Sequence, residues 1–235
     1  MTNSDSPIVI KAEAVVKTYS DNGVPVPAVR GIDLTIQAGE FSAIVGPSGS
    51  GKTTLLHLIS GLDTPTSGEI WLNGKSLSRM SGRELSDFRR DHVGFIFQAY
   101  NLIPVLTVEE NVEYVMLLQK VPKRERHERV MHILQEVGLA GLAHRFPPQL
   151  SGGQQQRVAI ARAMVSKPSL ILADEPTANL DSSTGAALLD MMRMLNERTG
   201  MTFVFSTHDE MIMKRARRVI TIKDGRIAGE EWHDG

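Results

Sequence analysis

At 235 residues the chain is long enough to bury a real core, and a single domain spanning 1–235 is expected. It carries 26 Lys+Arg against 27 Asp+Glu, a net charge of -1 that gives no sign of nucleic acid as a partner, and the absence of cysteine excludes disulfides, thiolate-bound metals and thiol nucleophiles. The polar start, residues 1–7, lacks the layout of a signal peptide, and no apolar run approaches the ~20 residues that cross a bilayer, so a soluble chain is expected.

Tyr19 follows a short strand signal, and its local pattern alone reads as packing. Ile32, Leu34 and Ile36 alternate with Asp33, Thr35 and Gln37, the period of a half-buried strand. Residues 41–45 are apolar but for Ser42 and run into Gly46-Pro47-Ser48-Gly49-Ser50-Gly51-Lys52-Thr53, then an apolar helix over 54–60 closed by Gly61. Asn73-Gly74, between 69–72 and 75–77, predicts a tight hairpin, since both residues tolerate positive φ. Gly94-Phe95-Ile96-Phe97-Gln98 reads as a strand ending in a polar residue.

From about 101 to 166 the pattern is helical. Thr107 with Glu110 forms a capping box for a helix to about Lys120. Val130, Ile133, Leu134 and Val137 recur at helical spacing and stop before Gly138; a third helix starts near Ser151 and ends before Pro168. The charged run 123–129 is expected to be a solvated helix face. Residues 170–173, and 202–205 after Thr202, are apolar like most of 41–45, the signature of parallel strands buried on both faces. Asp224-Gly225 predicts a second hairpin. With the loop at 46–53 matching GxxxxGK[ST] between a buried strand and a helix, the fold class expected is α/β: a P-loop NTPase core with a mostly parallel sheet, an antiparallel β subdomain and a helical insertion.

Residues 46–53 fit the pattern GxxxxGK[ST]. Gly46, Gly49 and Gly51 let the backbone curl with its N–H groups inward, and the following helix adds its positive end. Pro47, Ser48, Ser50 and Thr54 complete the loop and first turn. Lys52 reaches outer phosphates as a point charge, and Thr53 offers a hydroxyl to Mg²⁺. A second parallel strand ending in Asp174-Glu175 beside that loop puts Asp174 near the metal and Glu175 at the γ-phosphate as general base for an attacking water. Ser151-Gly152-Gly153-Gln154 opens another helix, with Ser151 as N-cap; alone, this is a capped helix with a flexible entry. His57, His92, His127, His132, His144 and His233 form no metal-ligand spacing.

Leu150-Ser151-Gly152-Gly153-Gln154, about twenty residues before Leu170-Ile171-Leu172-Ala173-Asp174-Glu175-Pro176 and downstream of the phosphate loop, resembles the ABC ATPase family, and the resemblance runs from about residue 8 to 227. It implies an ATP-hydrolysing motor subunit with Mg²⁺, whose two copies pack head to tail and drive integral membrane subunits from the cytoplasmic face. In that scheme Ser151, Gly153 and Gln154 contact the γ-phosphate bound to the other copy's Lys52. Tyr19 stacks on adenine. Gln98 meets Mg²⁺ and water and senses the membrane subunit. Asp181 lies on the loop that crosses the dimer interface, although locally it simply caps the next helix. His208 hydrogen-bonds the γ-phosphate.

The run from Arg89 to Pro104 and the triple Gln154-Gln155-Gln156 resemble the lipoprotein-releasing and macrolide-export branch, the LolD/MacB type, which transmits force to the periplasmic side. Ala178 departs from it, standing where that branch often has Gly. The rival reading, a soluble ABC ATPase of DNA repair or of ribosomes, usually brings a long coiled coil or a second cassette, and neither is in this sequence.

Overall fold

A computed structural model describes residues 6–233; positions 1–5, which hold most of the polar start, lie outside the described residues. The first part of the chain forms strands β1 (Ile8–Asp21), β2 (Val24–Gln37) and β3 (Phe41–Val45), helix α1 (Lys52–Ser60), strands β4 (Ser67–Leu72) and β5 (Lys75–Ser76), helix α2 (Gly82–His92) and strand β6 (Val93–Ile96). Helices α3 (Val108–Leu118), α4 (Lys123–Glu136) and α5 (Gly152–Met164) follow. The chain ends with β7 (Leu170–Asp174), α6 (Ser182–Thr199), β8 (Thr202–Thr207), the short α7 (Glu210–Met213), β9 (Arg218–Lys223) and β10 (Arg226–Trp232).

Two sheets result. One is antiparallel with order β2-β1-β4-β5; the other has order β10-β9-β3-β8-β7-β6. In the second, β9, β3, β8, β7 and β6 run parallel and β10 returns antiparallel at the edge. Strand alternation divides the core between its faces. Phe41, Ala43, Val45, Ile171, Ala173, Phe203 and Phe205 join the cluster built by α3, α4, α5 and α6. Ile44, Leu170, Leu172, Val204, Ile220 and Ile222 point the other way, into the cluster of α1 and the antiparallel sheet. Apolar side chains on both faces explain why these strands read as mostly hydrophobic runs without alternation.

Both predicted hairpins form. Asn73 and Gly74 take φ of 50° and 72°, and Asp224 and Gly225 take 50° and 75°, the pair of positive values a two-residue turn needs. The Thr107–Glu110 capping box is present at the start of α3. Several boundaries differ from the sequence reading. Helix α1 begins at Lys52, two residues earlier, because Gly51 is its left-handed N-cap. Strand β6 stops at Ile96, so Gln98 lies past its end, and Tyr19 sits inside β1 rather than after it. Helix α2 was not foreseen: only Leu85 and Phe88 are buried, which leaves little periodic signal.

Candidate functional site

Four parallel strands deliver the candidate residues to one edge. Because β3, β6, β7 and β8 point the same way, the residues after their C-terminal ends gather on the same side of the sheet, where open α/β sheets bind ligands. The loop after β3, Gln98 beyond β6, Glu175 beyond β7 and His208 beyond β8 meet at a cleft of about 580 Å³. Its walls are Pro47, Ser48, Gly49, Gly51, Lys52, Thr53, Thr54, Gln98, Glu175, His208 and Ala28 of β2.

At two positions, Gly46 and Gly51, neighbouring backbone leaves the loop no room for a side chain. Gly46 has φ 152°, and a Cβ there would lie 2.1 Å from the Ile222 carbonyl oxygen. Gly51 has φ 104°, and a Cβ there would lie 2.4 Å from the Ala28 carbonyl oxygen. The Gly225 N–H donates to the Ser50 carbonyl at 3.0 Å, so the β9–β10 turn braces the loop from behind. No side chain caps α1, which leaves its first N–H groups to a ligand. The Lys52 ammonium donates to the carbonyls of Gly46 (2.8 Å) and Pro47 (3.1 Å). An ammonium has three protons, so one remains for a further acceptor. The Ser50 hydroxyl is buried without a hydrogen-bond partner among the described residues.

Opposite the loop stand the acids. The Thr53 hydroxyl lies 3.3 Å from each Asp174 carboxylate oxygen. Glu175 has φ 45°, a left-handed backbone, and its N–H donates to the Ser206 carbonyl at 2.9 Å. Its side chain is gripped at both oxygens: Oε1 is 2.6 Å from His208 Nδ1, and Oε2 accepts from the Thr207 hydroxyl at 2.9 Å.

Tyr19 is 40% exposed and lies outside the cleft wall. The hydroxyl donates to Asp63 Oδ2 at 2.9 Å, and burial, followed by this bond, holds the phenol above its usual pKa. The turn Ser151-Gly152-Gly153-Gln154 is absent from the walls of its own cleft. There Ser151 Oγ accepts from Gln154 N (3.3 Å) while Gln154 Oε1 accepts from Ser151 N (2.9 Å), a closed capping box. Asp181 is the N-cap of α6 and accepts from the N–H groups of Ser183 (3.0 Å) and Thr184 (2.9 Å) and from both hydroxyls (2.6 Å each). These bonds hold its carboxyl well below the usual range. The local reading of Asp181 as a cap is therefore present in the structure.

Several contributors escaped the sequence. Thr207 holds Glu175, Asn179 donates to the Gln98 carbonyl at 2.9 Å, and Ala28 supplies only backbone. Arg162 of α5 donates to the carbonyls of Asn101 (2.6 Å) and Tyr100 (3.0 Å), tying the segment after Gln98 to the helix that Ser151 caps. Burial pulls its guanidinium below the usual pKa. All are contacts between distant segments, and no local pattern marks them. Among the described residues no group of three or more His, Asp and Glu is placed to hold a metal ion. Likewise no helix of the described residues is long and apolar enough to cross a membrane.

Comparison with known proteins places this geometry. The family model for ABC transporters matches residues 29–178. An uncharacterized ABC transporter ATP-binding protein of Thermotoga maritima is 48% identical over 215 residues, 92% of each chain. The bacitracin export ATP-binding protein BceA of Halalkalibacterium halodurans is 40% identical over 219 residues, 93% of this chain and 87% of that one. The dimeric post-hydrolysis structure of the ATP-binding cassette MJ0796 of Methanocaldococcus jannaschii, bound to ADP and Pi, superposes with a TM-score of 0.88 at 43% identity, covering 96% of this chain and 99% of that one. The chain belongs to the ABC transporter ATP-binding family and is an ATPase.

Proposed function

We propose that two copies of this chain pack head to tail around two ATP molecules and work as the motor of a membrane transporter. The observation that carries this reading is an incomplete site. Lys52, Thr53, Gln98, Glu175 and His208 share one cleft, while the Ser151–Gln154 turn of the same chain is not part of its walls. A second copy turned end for end supplies that turn to the nucleotide, through Ser151, Gly153 and Gln154, with Gly152 allowing close approach. Asp181, on the loop between β7 and α6, then lies at the seam between copies. The dimeric structures of the M. jannaschii cassette support a pair of copies.

In each site the backbone of 46–51, the Lys52 ammonium and the N-terminus of α1 hold the phosphates. Tyr19 offers its ring to the adenine. The Thr53 hydroxyl and Asp174 carboxylate, 3.3 Å apart, with Gln98 on the cleft wall, suit a hard, oxygen-seeking cation. Mg²⁺ held there neutralises charge on the phosphate oxygens. Glu175 orients a water and accepts its proton at a carboxylate oxygen; His208 turns its ring toward the γ-phosphate.

Force leaves through the helical segment at about 101–166, acting as a subdomain within a single domain of 1–235. Val105 is 78% exposed, and Tyr114, Leu117 and Leu118 of α3 are also exposed, a surface suited to a membrane subunit at the cytoplasmic face. Export or lipoprotein release is the direction favoured by the run ending at Pro104 and by the bacitracin-export relative.

Tagged Glu175→Gln, purified with Mg-ATP from detergent-solubilised membranes, tests both parts. The expected result is an ATP-dependent dimer carrying a partner with about four spanning helices and a large external domain. A variant that stays monomeric at high concentration, or hydrolyses ATP at the normal rate, sinks the reading of Glu175 and of the dimer.

A further inference from the structure

The Tyr19 ring is fixed by two residues that the cleft itself does not use. Lys17 Nζ lies 4.9 Å from the ring centroid, over one face. The same ammonium donates to Asp63 Oδ1 at 2.6 Å and to the Thr64 carbonyl at 2.8 Å, while the Tyr19 hydroxyl donates to Asp63 Oδ2 at 2.9 Å. Both carboxylate oxygens are thus engaged, one by the cation behind the ring and one by the ring's own hydroxyl. Burial acts to raise the Asp63 pKa, but the bonds from Lys17 and Tyr19 outweigh it and hold the group ionised.

Asp63 is in turn anchored to the helix that carries the phosphate loop. The N–H groups of Leu62 and Asp63 both donate to the His57 carbonyl of α1, at 2.9 and 3.2 Å. The path from Lys52 along α1 to Asp63 and back to Tyr19 is therefore short and hydrogen-bonded. It sets how far the ring stands from the loop.

We infer that the Lys17–Asp63 pair is a positioning device for the base of the nucleotide: Lys17 closes one face of the Tyr19 ring, Asp63 fixes its tilt and distance, and the remaining face is presented to a planar base. This rests on the reading of Tyr19 as the base platform. Stacking on an aromatic face is tolerant of base identity but sensitive to ring placement, so loosening the ring weakens the base without touching the phosphates.

The test compares two ligands on the full chain by titration calorimetry: Mg-ATP, and Mg-tripolyphosphate, which has no base. Asp63→Ala and Lys17→Met are each expected to weaken Mg-ATP about fivefold, roughly the effect of losing one cation–π or charged hydrogen-bond contact. Both are expected to leave tripolyphosphate affinity unchanged, and Lys17→Arg is expected to restore ATP affinity. Equal weakening of both ligands would mean that the pair merely holds α1 in shape, and would overturn the inference. So would unchanged ATP affinity in Asp63→Ala alongside a clear loss in Tyr19→Ala. Unchanged ATP affinity in Tyr19→Ala itself would remove the base platform, and the inference with it.

Discussion

Two helices here begin on glycine-bearing turns and treat their unpaired N–H groups in opposite ways. Helix α1 starts at a left-handed Gly51 with no side chain capping it, behind a loop braced by the backbones of β2 and the β9–β10 turn. Helix α5 starts at Ser151 with its box closed on itself, Ser151 and Gln154 each satisfying the other's N–H. Under the proposed function the first end receives an anion, and no side chain caps its donors. The second is complete as a local structure and needs Ser151 or Gln154 to turn outward before it can contact anything. The same motif grammar, glycines before a helix, thus serves a rigid cradle in one place and an adjustable contact in the other.

Lys52→Ala strikes the rigid end hardest: ATP hydrolysis is expected to fall by roughly 10³-fold, as when a preorganised donor to a transition-state charge is removed. Phosphate release at saturating ATP reads it. Gly51→Ala comes next, because its Cβ would meet the Ala28 carbonyl and its φ is unfavourable for alanine. A loss of about 2–3 kcal/mol in urea unfolding is expected, together with loss of ATP binding.

At the other end, Ser151→Ala is expected to cost about 1 kcal/mol of stability as a lost cap. Binding of ATP to dilute monomer should stay unchanged, while hydrolysis falls at least about tenfold for loss of a contact to a charged phosphate. If Ser151→Ala weakens ATP binding in dilute monomer as Lys52→Ala does, both helix starts serve one ligand in one chain and the contrast collapses. The smallest effect belongs to Asp181. Its folded pKa is depressed by the bonds at the start of α6, so its contribution is full above the ordinary carboxylate value of ~3.9 and is lost as pH falls through the folded one. Between pH 5 and 3, Asp181→Asn should therefore show a slightly shallower loss of thermal stability than the native chain.

Much of this molecule was legible because its signals are local. A capping box needs four residues, a two-residue hairpin is marked by Asn-Gly or Asp-Gly, and a buried parallel strand shows as a short, mostly apolar run. The glycine-rich loop at 46–51 combines such signals, which is why a strand, a curled loop and a helix could be read there in advance. Helix α2 carried one of these signals, the Ser81–Glu84 box, but its sparse apolar residues hid it. Strand β1 was blurred by its irregular pairing near Ala14, whose φ is 46°. What stayed hidden is the set of grips between segments: Thr207 on Glu175, Arg162 on Tyr100 and Asn101, Asp63 on Tyr19. Each joins residues more than 30 positions apart, and chain pattern encodes no such distance.

The left-handed backbone of Glu175 narrows what can stand at that position in a way that concerns genetics as much as chemistry. Unbranched replacements such as Gln, Asn or Asp tolerate that conformation to differing degrees, whereas Val, Ile and Thr resist it. A mutant library scored only for lost activity would return both kinds as equivalent nulls. Those with branched side chains would have lost the turn that brings β7 to the cleft, and only the unbranched ones would report on the carboxylate itself.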